Sequence, residues 1–252
     1  MNKTSVSIII PYYKKKFYFK KTISSVLKQT YKNYEVILIY DDEDKSDLAF
    51  VKTTIKKIRN SKIIINQSNL GVARSRNIGI KHSKGKFISF LDADDLWHKD
   101  KLKRQLLFMN KNKIGFSFSS YYIINKDGKK LKTIKVPKKL IFKNLLFSCK
   151  IGLSTVIADS KFFKKVKFSS LKTQEDYLVW LRISKGNINM LGINETLASW
   201  RKTDNSLSSS TKQKLKDAFQ VYNKHLKLNY FITLILIVSL SIHSLKKRFL
   251  WL

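Results

Sequence analysis

Two hydrophobic periods alternate through the first 95 residues of the chain. Continuous apolar runs of strand length occupy residues 6–11, 34–40, 63–65 and 87–91. Such runs predict parallel strands that are buried on both faces. Between the runs, helical spacing links Ile23, Val26 and Leu27, then Leu48, Val51, Ile55 and Ile58, then Val72, Arg76 and Ile80. The alternation predicts an α/β fold with a mostly parallel, Rossmann-like sheet and helices on both faces.

Beyond residue 110 the pattern is less regular. The predicted elements are a strand at 114–124, a hairpin turn at 126–129, helices at 140–147 and 177–183, a serine-rich linker at 206–211 and a basic helix at 212–227. We therefore expect one α/β domain over residues 1–205 and a helical tail over residues 206–252.

The tail contains a strongly apolar segment, residues 230–242, followed by the basic residues Lys246, Lys247 and Arg248 and by Trp251. The segment is shorter than the ~20 residues that a membrane-spanning helix needs. An apolar helix beside basic residues is typical of a helix that lies in the interface of an anionic membrane. We expect the tail to associate with a membrane in this way, and the alternative is a buried C-terminal helix of the core.

The composition of the chain indicates which partners and which cellular compartment to expect. The 51 Lys and Arg residues outnumber the 17 Asp and Glu residues, which gives a formal net charge of +34. Lysines spread along the whole chain favour anionic partners, such as acidic lipid headgroups or, without specificity, nucleic acid. Cys149 is the only cysteine, so there is no disulfide framework and no cysteine-based zinc site. The N-terminal apolar run is too short for the core of a signal peptide, so a cytoplasmic setting is expected.

Acidic residues are rare in this chain, and ten of the seventeen fall in three clusters, at 41–47, 92–95 and 175–176. The first two clusters directly follow predicted strands. In open α/β sheets, ligands bind in the crevice at the carboxyl ends of the strands. Clustered carboxylates repel one another unless a cation joins them. A divalent metal that bridges carboxylates and phosphates satisfies this requirement.

The spacing of Asp92 and Asp94 suits such a metal, because side chains two apart at a strand end share one face. The alternative is a solvated turn that caps the following helix. A sugar nucleotidyltransferase also uses a metal and an α/β sheet, but it needs a glycine-rich phosphate loop near the first strand. This chain has Pro11-Tyr12-Tyr13-Lys14 at that place.

Several ordered motifs resemble the inverting family 2 glycosyltransferases of the GT-A fold. They read VSIIIPYY, YEVILIYDDEDKSD, NLGVARSRNIGIKHSKGKFISFLDADD, EDYLVWLR and ASWRKTDNSLS, and the resemblance covers residues 4–208. It implies transfer of a sugar from a nucleotide-sugar donor to a hydroxyl of a glycan or lipid-linked acceptor, as in the synthesis of cell-surface polysaccharide or lipopolysaccharide. The alternatives are an inactive glycosyltransferase-like protein and a basic membrane-binding protein.

The resemblance assigns residues 1–95 to donor binding, with a UDP-sugar as the expected donor. The implied donor-binding residues are Pro11, Tyr13, Asp41, Asp42, Arg74, Arg76, Asp92 and Arg201. Asp94 and Asp92 are the implied ligands of a Mn²⁺ or Mg²⁺ ion. For Arg74 and Arg76 the alternative is a charged helix face. The chain departs from the family pattern at 43–46, where a Gly is typical, and at Thr203, where a His is common.

Residues 96–205 are the implied acceptor half. Asp176 resembles the general base that takes the proton of the acceptor hydroxyl, and Glu175 the residue that positions the acceptor. The alternative for both is stabilisation of a helix N-terminus. Trp97 and Trp180 are expected to stack on acceptor sugars, and packing in the core is the alternative. The expected location is the cytoplasmic face of the inner membrane, with peripheral attachment.

Overall fold

A computed structural model describes residues 5–203 and 210–249 of the chain. Its strands are β1 Val6–Tyr12, β2 Tyr34–Tyr40, β3 Ser61–Ile65, β4 Phe87–Phe90, β5 Leu96–Trp97, β6 Phe116–Ile124, β7 Lys130–Ile134, β8 Lys139–Leu140, β9 Ile157–Asp159 and β10 Met190–Arg201. Its α-helices are α1 Lys16–Leu27, α2 Leu48–Ile55, α3 Val72–His82, α4 Lys101–Lys111, α5 Phe142–Phe147, α6 Lys161–Lys165, α7 Glu175–Ser184, α8 Thr211–Phe219 and α9 Tyr230–Phe249. A 3₁₀ turn covers Leu153–Thr155, and a π-helical turn, Gln220–His225, follows α8.

All the described strands belong to one sheet, whose main order is β3-β2-β1-β4-β9-β6-β10-β5. The pairs β1–β2, β1–β4, β2–β3 and β6–β10 are parallel, whereas β9 runs antiparallel between β4 and β6. The mostly parallel sheet predicted for the first half is therefore confirmed. Strand β9 joins the two halves of the chain into a single sheet.

The alternation of side chains along β1 divides the core into two layers. Ile8 and Ile10 pack with α1 and α2 on one face of the sheet, and Ile9 packs on the other face with α3 and α7. Successive side chains of a strand point to opposite faces, so a strand covered on both sides is apolar at nearly every position. This arrangement explains the nearly continuous apolar run, in which Ser7 is buried and hydrogen-bonded, and it confirms the prediction of helices on both faces.

The C-terminal helix α9 has two different faces. Thr233 and Leu236 are buried against the rest of the protein, while Phe231, Ile235 and Val238 are exposed. Within residues 5–203 and 210–249, no helix is both long enough and apolar enough to cross a membrane. Residues 206–209 of the predicted linker, the side chains of the basic cluster 246–248, and residue 251 lie outside the described part of the chain.

Helix α4 buries an unusual cation, Lys101, whose side chain is fully inaccessible to solvent. Its Nζ lies 4.3 Å from the centre of the Trp97 ring and 3.4 Å from Ser89 Oγ. No carboxylate among the described residues forms an ion pair with it. Burial therefore lowers the pKa of Lys101 well below its ordinary value, because the charged form loses its hydration.

Replacing Lys101 with methionine is expected to raise the free energy of unfolding by about 1–3 kcal/mol near neutral pH, because an apolar chain of similar length avoids the cost of desolvation. The unfolded chain binds more protons than the folded one between the lowered pKa and the ordinary lysine pKa of about 10.4. The gain should therefore shrink as the pH rises through that range. Thermal unfolding at pH 7 and pH 10 measures it, with Lys103→Met on the exposed face of α4 as the control. An unchanged or lower Tm in Lys101→Met would contradict the prediction.

Candidate active site

An open cavity of about 650 Å³ lies at the carboxyl ends of β1, β2 and β4. The sequence-predicted residues in its walls are Pro11, Tyr13, Asp41, Arg76, Asp92, Asp94, Glu175, Asp176 and Arg201. Residues from all three acidic clusters thus meet in one crevice. Two of these clusters are there because parallel strands end at the same edge of the sheet, and the third because α7 begins at the cavity.

One wall is formed by the ends of β1 and β2. Asp41 is buried, and its Oδ1 accepts hydrogen bonds from Asn66 Nδ2 at 2.7 Å and from the backbone N–H of Leu70 at 2.8 Å. These two bonds fix the carboxylate at the cavity. Asp42 is also buried but does not line the cavity, and its Oδ1 accepts from the backbone N–H of Asp44. The predicted donor contact of Asp42 is corrected, because its side chain stabilises the turn at 42–44 instead.

The two arginines of α3 have different surroundings. Arg76 is buried and bridges two acids, with Nη2 at 2.9 Å from Asp92 Oδ1 and Nη1 bonded to Glu175 Oε1. Its contacts are therefore with the site's own carboxylates, and it ties the 92–95 cluster to the 175–176 cluster. Arg74 is exposed and lies outside the cavity walls. The predicted donor contact of Arg74 is corrected, and the alternative of a charged helix face describes it.

The segment Asp92–Asp95 follows β4 and places three carboxylates in different environments. Asp94 Oδ2 lies 2.7 Å from Lys15 Nζ, at the start of α1. Asp95 is buried and accepts hydrogen bonds from Ser154 Oγ and from the backbone N–H of Arg201. Burial raises the pKa of Asp94, although the Lys15 ammonium opposes this, and burial raises the pKa of Asp95 well above its ordinary value. All three aspartates line the cavity, and Asp95 in addition joins the ends of β4 and β10.

Asp92 and Asp94 suit a divalent cation that is bound partly by the protein and partly by a phosphate ligand. In residues 5–203 and 210–249, no group of three or more His, Cys, Asp or Glu side chains is arranged to hold a metal by itself. Mg²⁺ in phosphate-binding enzymes usually takes one or two carboxylates and completes its shell with phosphate oxygens and water. The Lys15 ammonium, which is 2.7 Å from Asp94, marks a position that already stabilises positive charge. The pair is suited to an ion shared with a diphosphate.

Asp176 stands in the first turn of α7 and lines the cavity. Burial raises the pKa of Asp176 to about 7, the neighbouring Glu175 carboxylate adds to the rise, and the charge of Arg76 opposes it. The Asp176 Oδ1 also accepts a hydrogen bond from the backbone N–H of Tyr177 at 2.7 Å. A carboxylate with a pKa near 7 accepts a proton much more readily than an ordinary aspartate, as a general base must.

If Asp176 is the general base that the sequence resemblance implies, its pKa predicts the pH dependence of the transfer reaction. A general base works in its deprotonated form, so kcat/KM should rise with pH, reach half its maximum near pH 7 and then level off. We expect the profile because the value of kcat/KM follows ionisation in the free enzyme. Rates measured from pH 5 to pH 9 with one donor test it. A profile that is already flat at pH 5 would show that a group of ordinary aspartate pKa, or no base, limits the rate.

Arg201 is the last residue of β10 and is almost fully buried. Its Nε donates to the carbonyl oxygen of Asp94 at 2.8 Å, and its Nη1 donates to the carbonyl oxygens of Asn125 and Lys126 at 2.9 Å each. Its Nη2 has no hydrogen-bond partner in the described part of the chain. Arg201 is thus a wall residue of the cavity that is fixed at a strand end, and its contact with the donor stays a prediction.

Both predicted acceptor-stacking tryptophans belong to the core, so this prediction is wrong. Trp180 has no exposed surface and packs edge to face on Phe116. Trp97 is 5% exposed and donates through Nε1 to the carbonyl oxygen of Ser154. Neither ring can present a face to a sugar. Trp200, by contrast, lines the cavity.

Sequence reasoning missed several polar residues of the cavity walls, among them Lys15, Lys172, Thr173, Gln174 and Lys214. Lys15 lies in a run of three lysines, and no local signal separates it from its neighbours. Gln174 precedes the acidic pair at the start of α7, and Lys214 comes from the predicted tail. Because α8 reaches the cavity, the tail contributes to the site.

Comparison with known proteins gives consistent results. The model of the family described as glycosyl transferase family 2 matches residues 7–171. A putative teichuronic acid biosynthesis glycosyltransferase, TuaG of Bacillus subtilis (strain 168), is 31% identical over 98% of this chain and 98% of its own length. The Escherichia coli UDP-Glc:alpha-D-GlcNAc-diphosphoundecaprenol beta-1,3-glucosyltransferase WfgD is 36% identical over 86% of this chain and 84% of its own length. The crystal structure of S. aureus TarS 1–349 with UDP-GlcNAc shares the fold, with a TM-score of 0.73, 19% identity, and coverage of 92% of this chain and 70% of that one.

Proposed function

Because this chain belongs to glycosyl transferase family 2 and is an inverting glycosyltransferase that uses a nucleotide-sugar donor, we propose a more specific reaction for it. The donor is a UDP-sugar, and the acceptor is a hydroxyl of a sugar carried on a lipid diphosphate. Asp176 is the general base. The observation that carries the proposal is the placement of Asp176, with its pKa near 7, in the same cavity as Asp92 and Asp94.

The donor and acceptor classes rest on a relative that covers most of this chain. WfgD is named for UDP-glucose and for a GlcNAc-diphosphoundecaprenol acceptor. In this chain, Pro11, Tyr13 and Asp41 form the wall that suits a nucleoside, because they combine apolar surface with a fixed carboxylate. A carboxylate in this position suits the hydroxyls of a ribose as hydrogen-bond donors. The same wall continues to Asp94, where a diphosphate would follow the nucleoside.

A Mn²⁺ or Mg²⁺ ion bound by Asp94 and Asp92, when present, would neutralise the charge that grows on the departing diphosphate. Lys15 adds a fixed cation beside the same group. Arg76 bonds both Asp92 and Glu175, so it fixes the position of the acceptor-side acid relative to the donor-side acid. This pre-formed arrangement stabilises the developing charge without reorganisation of the site.

Asp176 supplies the proton transfer. Its carboxylate takes the proton from the acceptor hydroxyl while the oxygen forms a bond to the anomeric carbon. The bond from that carbon to the diphosphate oxygen breaks on the opposite side, which inverts the configuration. Glu175, which is fixed by Arg76, lies beside the base and is placed to orient the acceptor.

A transfer assay tests the proposal. Purified protein is incubated with Mn²⁺, a panel of UDP-, GDP-, dTDP- and CMP-sugars, and a synthetic GlcNAc-α-diphosphoryl lipid as the acceptor. We expect transfer from a UDP-sugar, dependent on the lipid acceptor and lost in Asp94→Asn. Transfer from a GDP-, dTDP- or CMP-sugar alone would refute the donor class. Binding of nucleotide sugars without transfer to any acceptor would support the inactive alternative.

We also propose that α9 binds an anionic membrane surface, where a lipid-linked acceptor would be found. Its exposed face carries Phe231 at 73%, Ile235 at 49%, Val238 at 57% and Ile242 at 46% exposure. These residues recur at helical spacing and form one apolar stripe. A net charge of +34 complements anionic headgroups. The cytoplasmic face of the inner membrane stays the predicted location.

Co-sedimentation with vesicles measures this binding. We expect the protein to sediment with phosphatidylglycerol-containing vesicles, less so at high salt, and weakly with pure phosphatidylcholine. Phe231→Glu/Val238→Glu should abolish sedimentation, because two charges would enter the apolar layer. The control is Leu107→Glu, which changes an equally exposed apolar residue on α4. If light scattering shows a dimer that the double variant disrupts, with no vesicle binding by the wild type, the occupant is a second copy of the chain.

A further inference from the structure

We propose that Asp217, on α8, is a positioning residue for the general base, so that the helix after the transferase sheet sets the geometry of the acceptor wall. The inference rests on the proposed role of Asp176. It concerns a residue that does not line the cavity and lies beyond the residues 7–171 that the family model matches.

The segment that precedes α7 has a conformation that needs external support. Gln174 stands at the N-cap of α7 with φ 60° and ψ 16°, in the left-handed region. Residues other than glycine stay in this region only when the surrounding structure determines it. Glu175 and Asp176 follow directly, so the direction of Gln174 decides where their carboxylates point.

That support comes from α8. The Oδ2 atom of Asp217 accepts hydrogen bonds from the Thr173 backbone N–H at 2.8 Å and from Thr173 Oγ1 at 2.7 Å. Gln213 Nε2 donates to Asp217 Oδ1 at 3.0 Å, and Gln174 Nε2 donates to the carbonyl oxygen of Lys214 at 3.0 Å. Both residues before the acidic pair are therefore held by one face of α8.

The chemistry of the contact indicates that Asp217 orients the segment before α7 rather than merely attaching α8 to the protein. Asp217 is 2% exposed, and its three hydrogen-bond donors are all uncharged. Burying a carboxylate against neutral donors is a costly way to attach a helix, and apolar side chains would attach it at less cost. The carboxylate does fix the orientation of Thr173, because its Oδ2 accepts hydrogen bonds from both the backbone N–H and the hydroxyl of that residue. The contact also adjoins the cavity, since Gln174 and Lys214 are in its wall.

Loss of the Asp217 contact is expected to affect the general base and the acceptor, and not the binding of the donor. Asp41 is held by Asn66 and Leu70, in the loop between β3 and α3, and Asp94 pairs with Lys15 at the start of α1, so α8 supplies neither contact. Loss of the Asp217 contact should therefore leave donor affinity unchanged, while the base and the acceptor lose their alignment. A misplaced Asp176 also changes its separation from Arg76 and Glu175, which together with burial set its pKa.

The test compares Asp217→Asn and Thr173→Val with Lys216→Ala, an exposed residue of the same helix. Asparagine keeps one oxygen for Thr173 but opposes the amide of Gln213 with its own N–H₂ group. Valine keeps the backbone bond and loses only the hydroxyl. We expect kcat to fall at least ten-fold in Asp217→Asn and less in Thr173→Val, with the donor Kd unchanged and the pH midpoint of kcat/KM displaced. Lys216→Ala should match the wild type.

A readout independent of activity accompanies the kinetics. Hydrogen exchange of the peptide that spans 173–178 should accelerate in Asp217→Asn and not in Lys216→Ala. A lower Tm with unchanged kcat and pH midpoint, measured well below that Tm, would overturn the proposal and leave Asp217 a purely structural residue. If the wild type itself transfers no sugar, the proposed function fails first, and the exchange data still decide whether Asp217 orders the segment.

Discussion

Replacing Asp176 with asparagine is expected to lower kcat by about 10²–10⁴-fold, the usual contribution of a general base. Asparagine has nearly the same volume, and its Oδ1 can still accept the hydrogen bond from Tyr177 N–H that orients the aspartate. It cannot accept a proton from the acceptor. Donor affinity should stay within about two-fold of the wild type, because Asp41 and Asp94 are held by residues outside α7.

Steady-state transfer and a donor-binding titration on the same samples measure this change. Glu195→Gln is a suitable control, since it removes a carboxylate that pairs with Arg104 on the surface, outside the cavity. An Asp176→Asn variant with more than a tenth of the wild-type kcat would contradict the assignment. Glu175 would then be the next candidate for the base.

Replacing Arg76 with methionine is expected to have the largest effect on stability. Arg76 separates and neutralises Asp92 and Glu175 from a position that is only 3% exposed. Removing one partner of a buried ion pair leaves the other charge uncompensated, which costs about 3–5 kcal/mol of unfolding free energy. The same change should move the pH midpoint of kcat/KM above 7, because the charge of Arg76 lowers the pKa of Asp176 in the wild type.

Urea unfolding and a pH profile measure the two effects. Arg104→Met is the matched control, because it breaks an arginine–glutamate pair at the exposed surface, where such pairs stabilise a protein little. Arg76→Lys should fall between the wild type and Arg76→Met, since lysine keeps the charge but cannot bridge two carboxylates with two N–H groups. Equal stability of the Arg76→Met and Arg104→Met variants would refute the bridging role.

The fold was predictable where burial leaves a clear pattern in the sequence. Strands β1, β2 and β4 are covered on both faces and read as apolar runs with one polar residue each, Ser7, Glu35 and Ser89. Strand β10 was missed because Met190–Arg201 mixes apolar and polar residues and contains two irregularities in its pairing with β6. Strands β5 and β8 have two residues each and depend on their partners. Helix α4 could have been found, because Leu102, Leu106 and Met109 have helical spacing.

For the site, the sequence predicted which residues lie at strand ends, but it did not predict the directions of individual side chains. Asp41, Asp92 and Asp94 follow apolar strands, and the ends of parallel strands converge, so their meeting follows from topology. The direction of a side chain depends on tertiary neighbours, and for this reason Asp42, Arg74 and Trp180 were wrongly placed at the cavity. The part played by α8 depends on a contact between residues 44 positions apart, for which the local sequence carries no signal.

Strand β9 limits how this enzyme could be re-engineered by exchange of segments. The chain enters the acceptor half after residue 95 and then returns Ile157–Asp159 to pair with β4 in the donor half. Ser154, just before β9, bonds to Asp95, and Ser89 of β4 bonds to the carbonyl oxygen of Val156. A chimera joined at residue 95 would combine Ser89 and Asp95 from one protein with the segment 154–159 from another, and the contacts between them would be lost or altered. Exchange of donor preference between relatives therefore requires residues 87–95 and 154–159 to be transplanted as one unit.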